Sequence, residues 1–457
     1  MKKNILVIGQ GGREHALAWK LSKSQKIQKT YVCPGNGGTF LEKNIINVDL
    51  DIKNHNMLID FVKSNNIDIT IVGPEDPLVN GLANSFIEND LKIFGPLKEF
   101  AILEGSKVFA KDFMLKNKIP TANHTMFDTL ESAKNYIKNK KYPIVVKADG
   151  LAAGKGVIIS NDEDEAINAI DKLLGNNHSE YIVIEDFLKG QELSAIYICS
   201  QAGKFKNAYE IGLPWIKDYK SRDEFNSGPN TGGMGAVSHP LGYQHKNLLF
   251  KLHLEIEKVL IKTITAINNY NKKTNKNYLG FLYIGLMIDN NNDIKVLEYN
   301  CRLGDPETQN LMLTLENQNI DLYDLIVNPL EIRQEQWDFN LLRIDDKESS
   351  YWESSYCCTI VLAAKGYPDA YVKDFFIDIS NVKQSDKIKI FHAGTVINNN
   401  KIQATGGRIL TVNVFADTKK EAVSLAYENI KKIKAFEDKD FKIQNQSLVF
   451  YRDDIGN

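Results

Sequence analysis

The chain has 457 residues, 43% of them hydrophobic and 25% charged, with a formal net charge of −2. At roughly 150 residues per domain, that length allows about three domains, each large enough to bury its own core. The near-neutral charge, without a long run of one sign, argues against a nucleic-acid or anionic-membrane partner.

No signal-peptide pattern follows Met1-Lys2-Lys3, and no apolar stretch approaches the roughly 18 residues of a membrane span. Cys33, Cys199, Cys301, Cys357 and Cys358 are odd in number and lack CxxC or zinc spacing, so reduced thiols in a cytoplasmic protein are expected.

The first hundred residues alternate strand and helix. Apolar runs at Asn4–Ile8, Thr30–Cys33, Asp68–Val72 and Leu91–Phe94 read as strands, with helices at Glu14–Ser22, Met57–Ser64 and Leu82–Glu88. This alternation predicts a Rossmann-like open parallel sheet with ligands at the carboxyl ends of its strands. Three strands end in glycine-rich turns: Gly9-Gln10-Gly11-Gly12-Arg13-Glu14, Pro34-Gly35-Asn36-Gly37-Gly38-Thr39 and Gly73-Pro74-Glu75-Asp76-Pro77. The first opens a helix, whose free N–H groups and positive dipole end suit an anion. A nicotinamide site would want an acidic residue about 20 positions on, and Lys29-Thr30-Tyr31-Val32-Cys33 has none. A phosphate-bearing ligand is expected; NAD is not.

From about residue 120 the pattern changes. Ile144–Lys147 reads as a strand leading into the glycine-rich hairpin Ala148–Val157, a candidate flap over phosphates with Lys147 and Lys155 as cations. Tyr181–Leu188 reads as a strand running into a linker whose backbone suits an adenine edge, and Glu192, which by itself reads as a solvated residue, lies where a carboxylate would meet ribose hydroxyls. Ser227–Ala236 is too glycine-rich for a helix or a central strand and suits close backbone approach to a ligand. Glu255–Asn268 is an amphipathic helix, followed by a hairpin of Tyr278–Asp289 and Asp293–Tyr299.

That hairpin delivers Glu298-Tyr299-Asn300-Cys301-Arg302. Strand side chains alternate faces, so Glu298, Asn300 and Arg302 are expected on one side. A carboxylate and an amide oxygen suit Mg²⁺ alongside substrate phosphates, and Arg offers phosphate a planar donor fork. By itself E-x-N-x-R is also an ordinary polar strand end. Past Asn328-Pro329 the chain reads as a separate piece, with strands at Cys358–Ala363, Lys387–His392 and Arg408–Phe415 and a helix at Lys419–Phe436.

Taken together, the motifs resemble the phosphoribosylamine–glycine ligase family of ATP-grasp enzymes over essentially the whole chain. The residues that carry the likeness are Gly9–Leu17, Gly73–Val79, Leu103–Lys107, Lys147–Val157, Ser227–Ala236, Glu298–Thr308, Phe391–Thr395 and Gly406–Arg408. The resemblance implies a Rossmann-like domain at 1–103, an ATP-grasp core at 104–328 with a mobile lid near 122–192, and a small α+β domain at 329–457. It implies ATP-dependent joining of glycine to 5-phosphoribosylamine, with Mg²⁺ or Mn²⁺, in purine biosynthesis. The partners implied are small molecules, with transient contact to neighbouring purine-pathway enzymes left open.

Carried onto this sequence, the metal ligands would be Glu298 and Asn300. ATP would meet Lys107, Lys147, Gly154, Lys155, Gly156, Glu185, Asp186, Phe187, Leu188 and Glu192. The other substrates would meet Gly11, Gly12, Arg13, Glu14, Gly37, Glu75 and Asp76 on one side. On the other they would meet Asp218, Lys220, Asn230, Gly232, Gly233, Arg302, Gly304, Asp305 and Glu307. Arg302, Lys147 and Asp218 would be catalytic.

Two places depart from pattern. Gly285-Leu286-Met287-Ile288 lacks the further acidic ligand many ATP-grasp ligases carry there, leaving Asp289 or Glu307 to assist. Lys217-Asp218-Tyr219-Lys220 stands where the family has Gln-Asp-His-Lys, and a Tyr219 lining the glycine pocket would change amino-acid affinity or selectivity. Another ATP-grasp carboxylate–amine ligase and a non-catalytic nucleotide-binding regulator are the competing readings; intact Glu298, Asn300, Arg302 and Lys147 weigh against the second.

Overall fold

A computed structural model describes residues 2–151, 156–175, 179–201, 208–238, 246–274, 276, 278–331 and 356–457. The amino-terminal sheet has five parallel strands in the order Ile45–Asn47, Ile27–Pro34, Lys3–Gly9, Ile69–Val72, Ile93–Phe94. The first strand in sequence therefore lies in the middle, and the chain winds outward from it in both directions. That switch point puts the carboxyl ends of Lys3–Gly9, Ile27–Pro34 and Ile69–Val72 side by side, so the three glycine-rich turns meet at one crevice. Ile5, Leu6, Val7 and Ile8 are fully buried, as a strand covered on both faces requires.

A ten-stranded sheet organises the rest. Its path runs Ile294–Asn300, Leu279–Ile288, Gln191–Gln201, Ile216–Asp218, Gly235–Ser238, Tyr356–Ala364, Arg408–Ala416, Ile388–His392. The expected 278–299 hairpin is present, turning through Asp289, whose carboxylate accepts from the Asn291 and Asp293 N–H groups.

The same sheet continues into the carboxy-terminal part through Gly235–Ser238 against Tyr356–Ala364. The expected division at Asn328-Pro329 also falls inside a helix, Leu322–Glu331. Gly235–Ser238 corrects the expectation that 227–236 holds no central strand. Glycine is required there because a Cβ at Gly235 would stand 2.8 Å from Thr359 O and 2.9 Å from the Ile455 side chain. The helix expected over Lys419–Phe436 ends at Ile430. Lys434–Phe436 instead pairs with Phe375–Asp378 in a four-stranded sheet, where tertiary pairing overrides local propensity.

The lid is a further four-stranded antiparallel sheet, ordered His124–Phe127, Ile182–Asp186, Ile144–Ala148, Val157–Ser160. Helices Leu130–Ile137 and Glu163–Ile170 contribute Ala133, Ile137, Ala166, Ala169 and Ile170 to a core with Ile144, Val146, Ile182 and Ile184. That core is separate from those of the other layers. Gly154 and Lys155 lie outside the described residues.

Candidate active site

At the amino-terminal crevice, Glu14 fills the space between two turns, and a Cβ at either Gly9 or Gly73 would overlap its side chain. Its carboxylate accepts from Gly11 N–H at 2.6 Å and from Arg13 Nε at 2.5 Å. Part of the helix start is therefore already satisfied from within. Arg13 Nη1 donates to Leu303 O at 3.1 Å and lies 3.7 Å from Glu75 Oε2.

Arg302 is held more completely. Nε meets Glu75 Oε2 at 3.0 Å, Nη2 meets Glu104 Oε1 at 2.6 Å and Nη1 donates to Leu303 O at 3.2 Å. Burial alone would raise the Glu75 carboxyl, but Arg302 and then Arg13 hold it down at about 2. Burial wins at Glu104, which is raised despite the same guanidinium. Glu104 also accepts from Cys301 N–H at 2.8 Å, fixing the turn after the strand Ile294–Asn300. Asp76 is exposed beside Glu75. Gly37 is buried, and a Cβ there would press on Thr395 Oγ1 at 2.9 Å. Its neighbour Asn36 donates to Gln10 O, Gly11 O and His392 O, stapling the first turn to the carboxy-terminal part.

On the lid side, Ser106 caps the helix Lys107–Lys116, and Lys107 Nζ donates to Gly150 O at 2.8 Å. Asp149 accepts from Ser106 Oγ and Val108 N–H, so this helix start and the lid strand end are joined. Val145 is opposite Glu185 in register, and Lys147, two residues on, shares its face. Glu185 is buried, with Lys147 Nζ at 3.0 Å and Lys111 Nζ at 3.1 Å. Burial, then Lys147, pushes the Lys111 ammonium down to about 8. Asp186 N–H donates to Asn123 O and its carboxylate accepts from Asn123 Nδ2, so that linker position serves the lid sheet. Phe187 and Leu188 follow, half-buried, and Gly156 is buried at the foot of the hairpin.

Glu298 stands where these groups converge. Lys220 foremost, against burial and with help from Lys147, Lys107 and Arg302, holds its carboxyl at about 2. Lys220 Nζ bridges Glu298 Oε1 at 3.4 Å and Glu192 Oε2 at 3.1 Å. Glu298 is opposite Gly285, and Gly285 is opposite Ser194, so the middle strand offers no side chain in that row. Ser194 Oγ lies 2.8 Å from Tyr283 Oη and donates to Glu307 Oε1 at 3.1 Å. Glu307 thus meets Ser194, two strands across from Glu298, whereas Asp289 is used in the distal hairpin turn.

Asn300 follows Glu298 at strand spacing. One ionised carboxylate plus one amide oxygen is a donor set that suits a hard cation keeping phosphate and water ligands. Among the described residues no group of three His, Cys, Asp or Glu could hold a metal by itself.

Asp218 is half-buried, with its Oδ1 shielded from solvent and lacking a hydrogen-bond partner. Burial foremost, then Glu307, pushes its carboxyl up. Gly233, at φ +111°, passes so close that a Cβ would lie 2.9 Å from Asp218 Oδ1. Arg408 clamps this region from the carboxy-terminal part: Nη1 donates to Gly232 O and Asp305 O, both at 2.6 Å, and Nη2 lies 3.2 Å from Asp305 Oδ2. Gly304 packs on Glu307, where a Cβ would overlap the carboxylate, and Asn230 pairs with Ser221 across the two-stranded turn. Tyr219 does not line this pocket. Its side chain is buried with Val237, Cys358 and Ile455 on the opposite side of the strand from Asp218 and Lys220.

The structure therefore brings Lys107, Lys147, Glu192, Lys220, Glu298 and Arg302 around one point, while Asp186 and Gly37 serve packing and sheet contacts. Sequence reasoning missed Lys111, Glu104, Asn36 and Arg408 as parts of the site. Lys111 had a signal, since it follows Lys107 at i+4 and so shares its helix face. Arg408 lies in a motif that carried the resemblance, without a role; Glu104 and Asn36 act through partners remote in sequence.

Profiles of the phosphoribosylglycinamide synthetase N domain, ATP-grasp (A) domain and C domain match residues 3–104, 105–308 and 357–457. A phosphoribosylamine–glycine ligase of Vibrio vulnificus is 39% identical over 457 residues, covering 99% of this chain and 97% of that protein. A protein of the same description from Clostridium acetobutylicum is 38% identical, covering 99% of each. Among solved structures, the phosphoribosylamine–glycine ligase of Thermotoga maritima superposes with a TM-score of 0.74 at 31% identity, covering 99% of this chain and 100% of that one. A biotin carboxylase domain from Hydrogenobacter thermophilus, at TM-score 0.67 and 16% identity, covers 98% of this chain and 97% of that one and shares the fold alone. With all three domain profiles in order and full-length relatives near 39% identity, this chain belongs to the phosphoribosylglycinamide synthetase family.

Proposed function

We propose that this protein is an ATP-dependent ligase that joins glycine to 5-phosphoribosylamine in purine biosynthesis. The observation that carries the reading at the site is Glu298, an ionised carboxylate surrounded by Lys220, Lys147, Lys107 and Arg302. Four cations about one metal-ligand carboxylate suit a triphosphate, because phosphoryl transfer is mainly positioning and charge stabilisation. A glycine carboxylate oxygen takes the γ-phosphoryl group from ATP, releasing ADP and giving glycyl phosphate. The phosphoribosylamine nitrogen then attacks the carbonyl carbon, phosphate leaves with that carboxylate oxygen, and the nitrogen loses a proton.

Glu298 and Asn300 would hold Mg²⁺ or Mn²⁺, which when bound neutralises the β- and γ-phosphates. Lys107 and Lys147 would exchange Gly150 O and Glu185 for phosphate oxygens. Asp218, half-buried with an unpartnered, shielded oxygen, would receive the proton of the attacking amine. Arg302, with every guanidinium nitrogen engaged, acts as a positioning residue between the metal strand and the amino-terminal crevice. Glu75, Asp76, Arg13 and the Gly11–Glu14 helix start would receive the ribosyl phosphate, and Asp305, Glu307 and Gly232–Gly233 would enclose the amino acid. Closure of the lid, residues 122–192, would keep water from the acyl phosphate. Residues 1–103 would thus supply the acceptor crevice, 104–328 the ATP-grasp core, and 329–457 the Arg408 clamp. The substrates are small metabolites, and the reading places the enzyme in the cytoplasm. Among the described residues no helix is long and apolar enough to cross a membrane.

The test is ADP release with ATP, Mg²⁺ and freshly generated phosphoribosylamine, with and without glycine. Glycine-dependent ADP matched by glycinamide ribonucleotide is the expected result. Turnover with a different small amino acid and none with glycine would overturn the substrate assignment.

A further inference from the structure

Tyr219 marks the chain's departure from its family pattern, and its surroundings give it a task outside the substrate pocket. The strand Ile216–Asp218 pairs with Gly235–Ser238, placing Asp218 opposite Ala236. Tyr219 continues the pairing: its N–H donates to Gly235 O at 3.0 Å and its carbonyl accepts from Met234 N–H at 2.8 Å. Asp218 and Lys220 therefore project to the pocket while the Tyr219 ring goes the other way. There the phenol oxygen accepts from Gly456 N–H at 3.0 Å, and the Arg452 guanidinium lies over the ring at 5.2 Å.

Arg452 is itself buried, at 2% exposure. Its Nη1 donates to Ser221 O at 3.0 Å and its Nη2 to Asn226 Oδ1 at 3.3 Å. A bidentate pair with Asp454, at 2.7 and 2.6 Å, fixes the fork, and Asp454 Oδ2 accepts from Phe225 N–H at 2.8 Å. The turn so held is unusual. Phe225 and Asn226 have φ of 55° and 56°, a left-handed conformation that two consecutive non-glycine residues keep only when surrounding contacts impose it. The segment 449–457 thus grips the stretch 219–226 at the ring, the backbone and the turn. Lys220 lies on that stretch and Asp218 immediately precedes it, while Thr231, next to Gly232 and Gly233, donates its N–H to Lys220 O at 2.8 Å.

We propose that Arg452 and Tyr219 are positioning residues that set the depth of Asp218 in the amino-acid pocket, so that segment 449–457 governs glycine binding more than ATP binding. This rests on the reading that Asp218 faces the amino acid. Lys107 and Lys147 make none of these contacts, and Lys220, which pairs with Glu192 and Glu298, carries the smaller effect on ATP.

The experiment compares the full chain with Arg452→Met, Arg452→Lys and Tyr219→Phe, measuring KM for glycine, KM for ATP, kcat and the melting temperature. Arg452→Met is expected to raise KM for glycine about tenfold, the scale of losing a hydrogen-bonded buried charge. KM for ATP should stay within about twofold, and Arg452→Lys should recover part of the glycine effect. An unchanged glycine KM, an equal rise in both constants, or a lower melting temperature with both constants unchanged would overturn the proposal. Should Arg452→Met fail to fold, Tyr219→Phe removes only the phenol oxygen and is expected to raise glycine KM about threefold; no change there is equally contrary. Wild-type protein lacking glycine-dependent ADP release would overturn the functional reading itself, whereas normal wild-type behaviour with unmoved variants would overturn the clasp alone.

Discussion

Arg302 and Lys220 each bridge two carboxylates near one strand, but the two bridges differ in what they leave open. The Arg302 side chain is 16% exposed, with Glu75 at 23% and Glu104 at 7%, and its contacts are 3.0 and 2.6 Å. Lys220 is 28% exposed, with Glu192 at 40% and Glu298 at 38%, and its contacts are 3.1 and 3.4 Å. A buried guanidinium with every nitrogen in use holds the backbone turn and the Glu75 crevice in register. An ammonium between half-exposed carboxylates can give them up to a metal and a ribose, because water and phosphate can replace it at low cost. One bridge fixes the site, and the other is where ligands exchange.

Breaking the closed bridge should give the largest effect on stability. Arg302→Met leaves Glu104 without its counter-charge and Glu75 with Arg13 alone, and removing one partner of a buried ion pair costs about 3–5 kcal/mol. Urea unfolding of the purified variant reads this directly, and a loss below about 1 kcal/mol would mean the bridge is not closed as described. At the open bridge the effect should fall on catalysis instead. Glu298→Gln should lower kcat about 10²–10³-fold, the scale of losing one preorganised electrostatic group, with the unfolding midpoint little changed. Activity near wild type would remove Glu298 from the reacting centre.

Lys147→Ala sharpens the contrast further. The ammonium is paired with Glu185 at 3.0 Å and should exchange that partner for phosphate, so KM for ATP is expected to rise about tenfold. An unchanged ATP dependence would assign Lys147 to the lid sheet alone.

The smallest effect is acid sensitivity. The Glu75 carboxyl is held near 2 against an ordinary value of 4.5, so its folded pKa is depressed. Its contribution is therefore complete above about 4.5 and is lost as pH falls from there toward 2. Glu75→Gln should flatten the fall in unfolding free energy across that window; an identical slope would show that Glu75 contributes no such linkage.

Much of this was legible in the sequence because it depended on local period. The buried apolar runs of the parallel sheet, the three glycine turns at their ends, and the same-face spacing of Glu298 and Asn300 need no knowledge of remote partners. The environment of Arg302 was not legible, since Glu75 and Glu104 lie about 200 residues or more away in sequence. The central strand Gly235–Ser238 was hidden because the glycines leading into it read as a loop, whereas close approach of Thr359 and Ile455 requires the glycine at 235. Lys434–Phe436 was lost to the preceding helix because only its pairing with Phe375–Asp378 identifies it as a strand. Tyr219 looked like a change in the substrate pocket, and its burial against Val237 and Ile455 shows a change in the support behind it.

The central claim is that the cations around Glu298 serve transfer of a phosphoryl group to the carboxylate of glycine. Glycine labelled with ¹⁸O in its carboxylate, turned over with ATP and phosphoribosylamine, tests it most directly. Inorganic phosphate carrying one ¹⁸O atom for each glycinamide ribonucleotide formed is the predicted result. Unlabelled phosphate accompanying the same product would mean that the amide bond forms without glycyl phosphate, and would contradict the account.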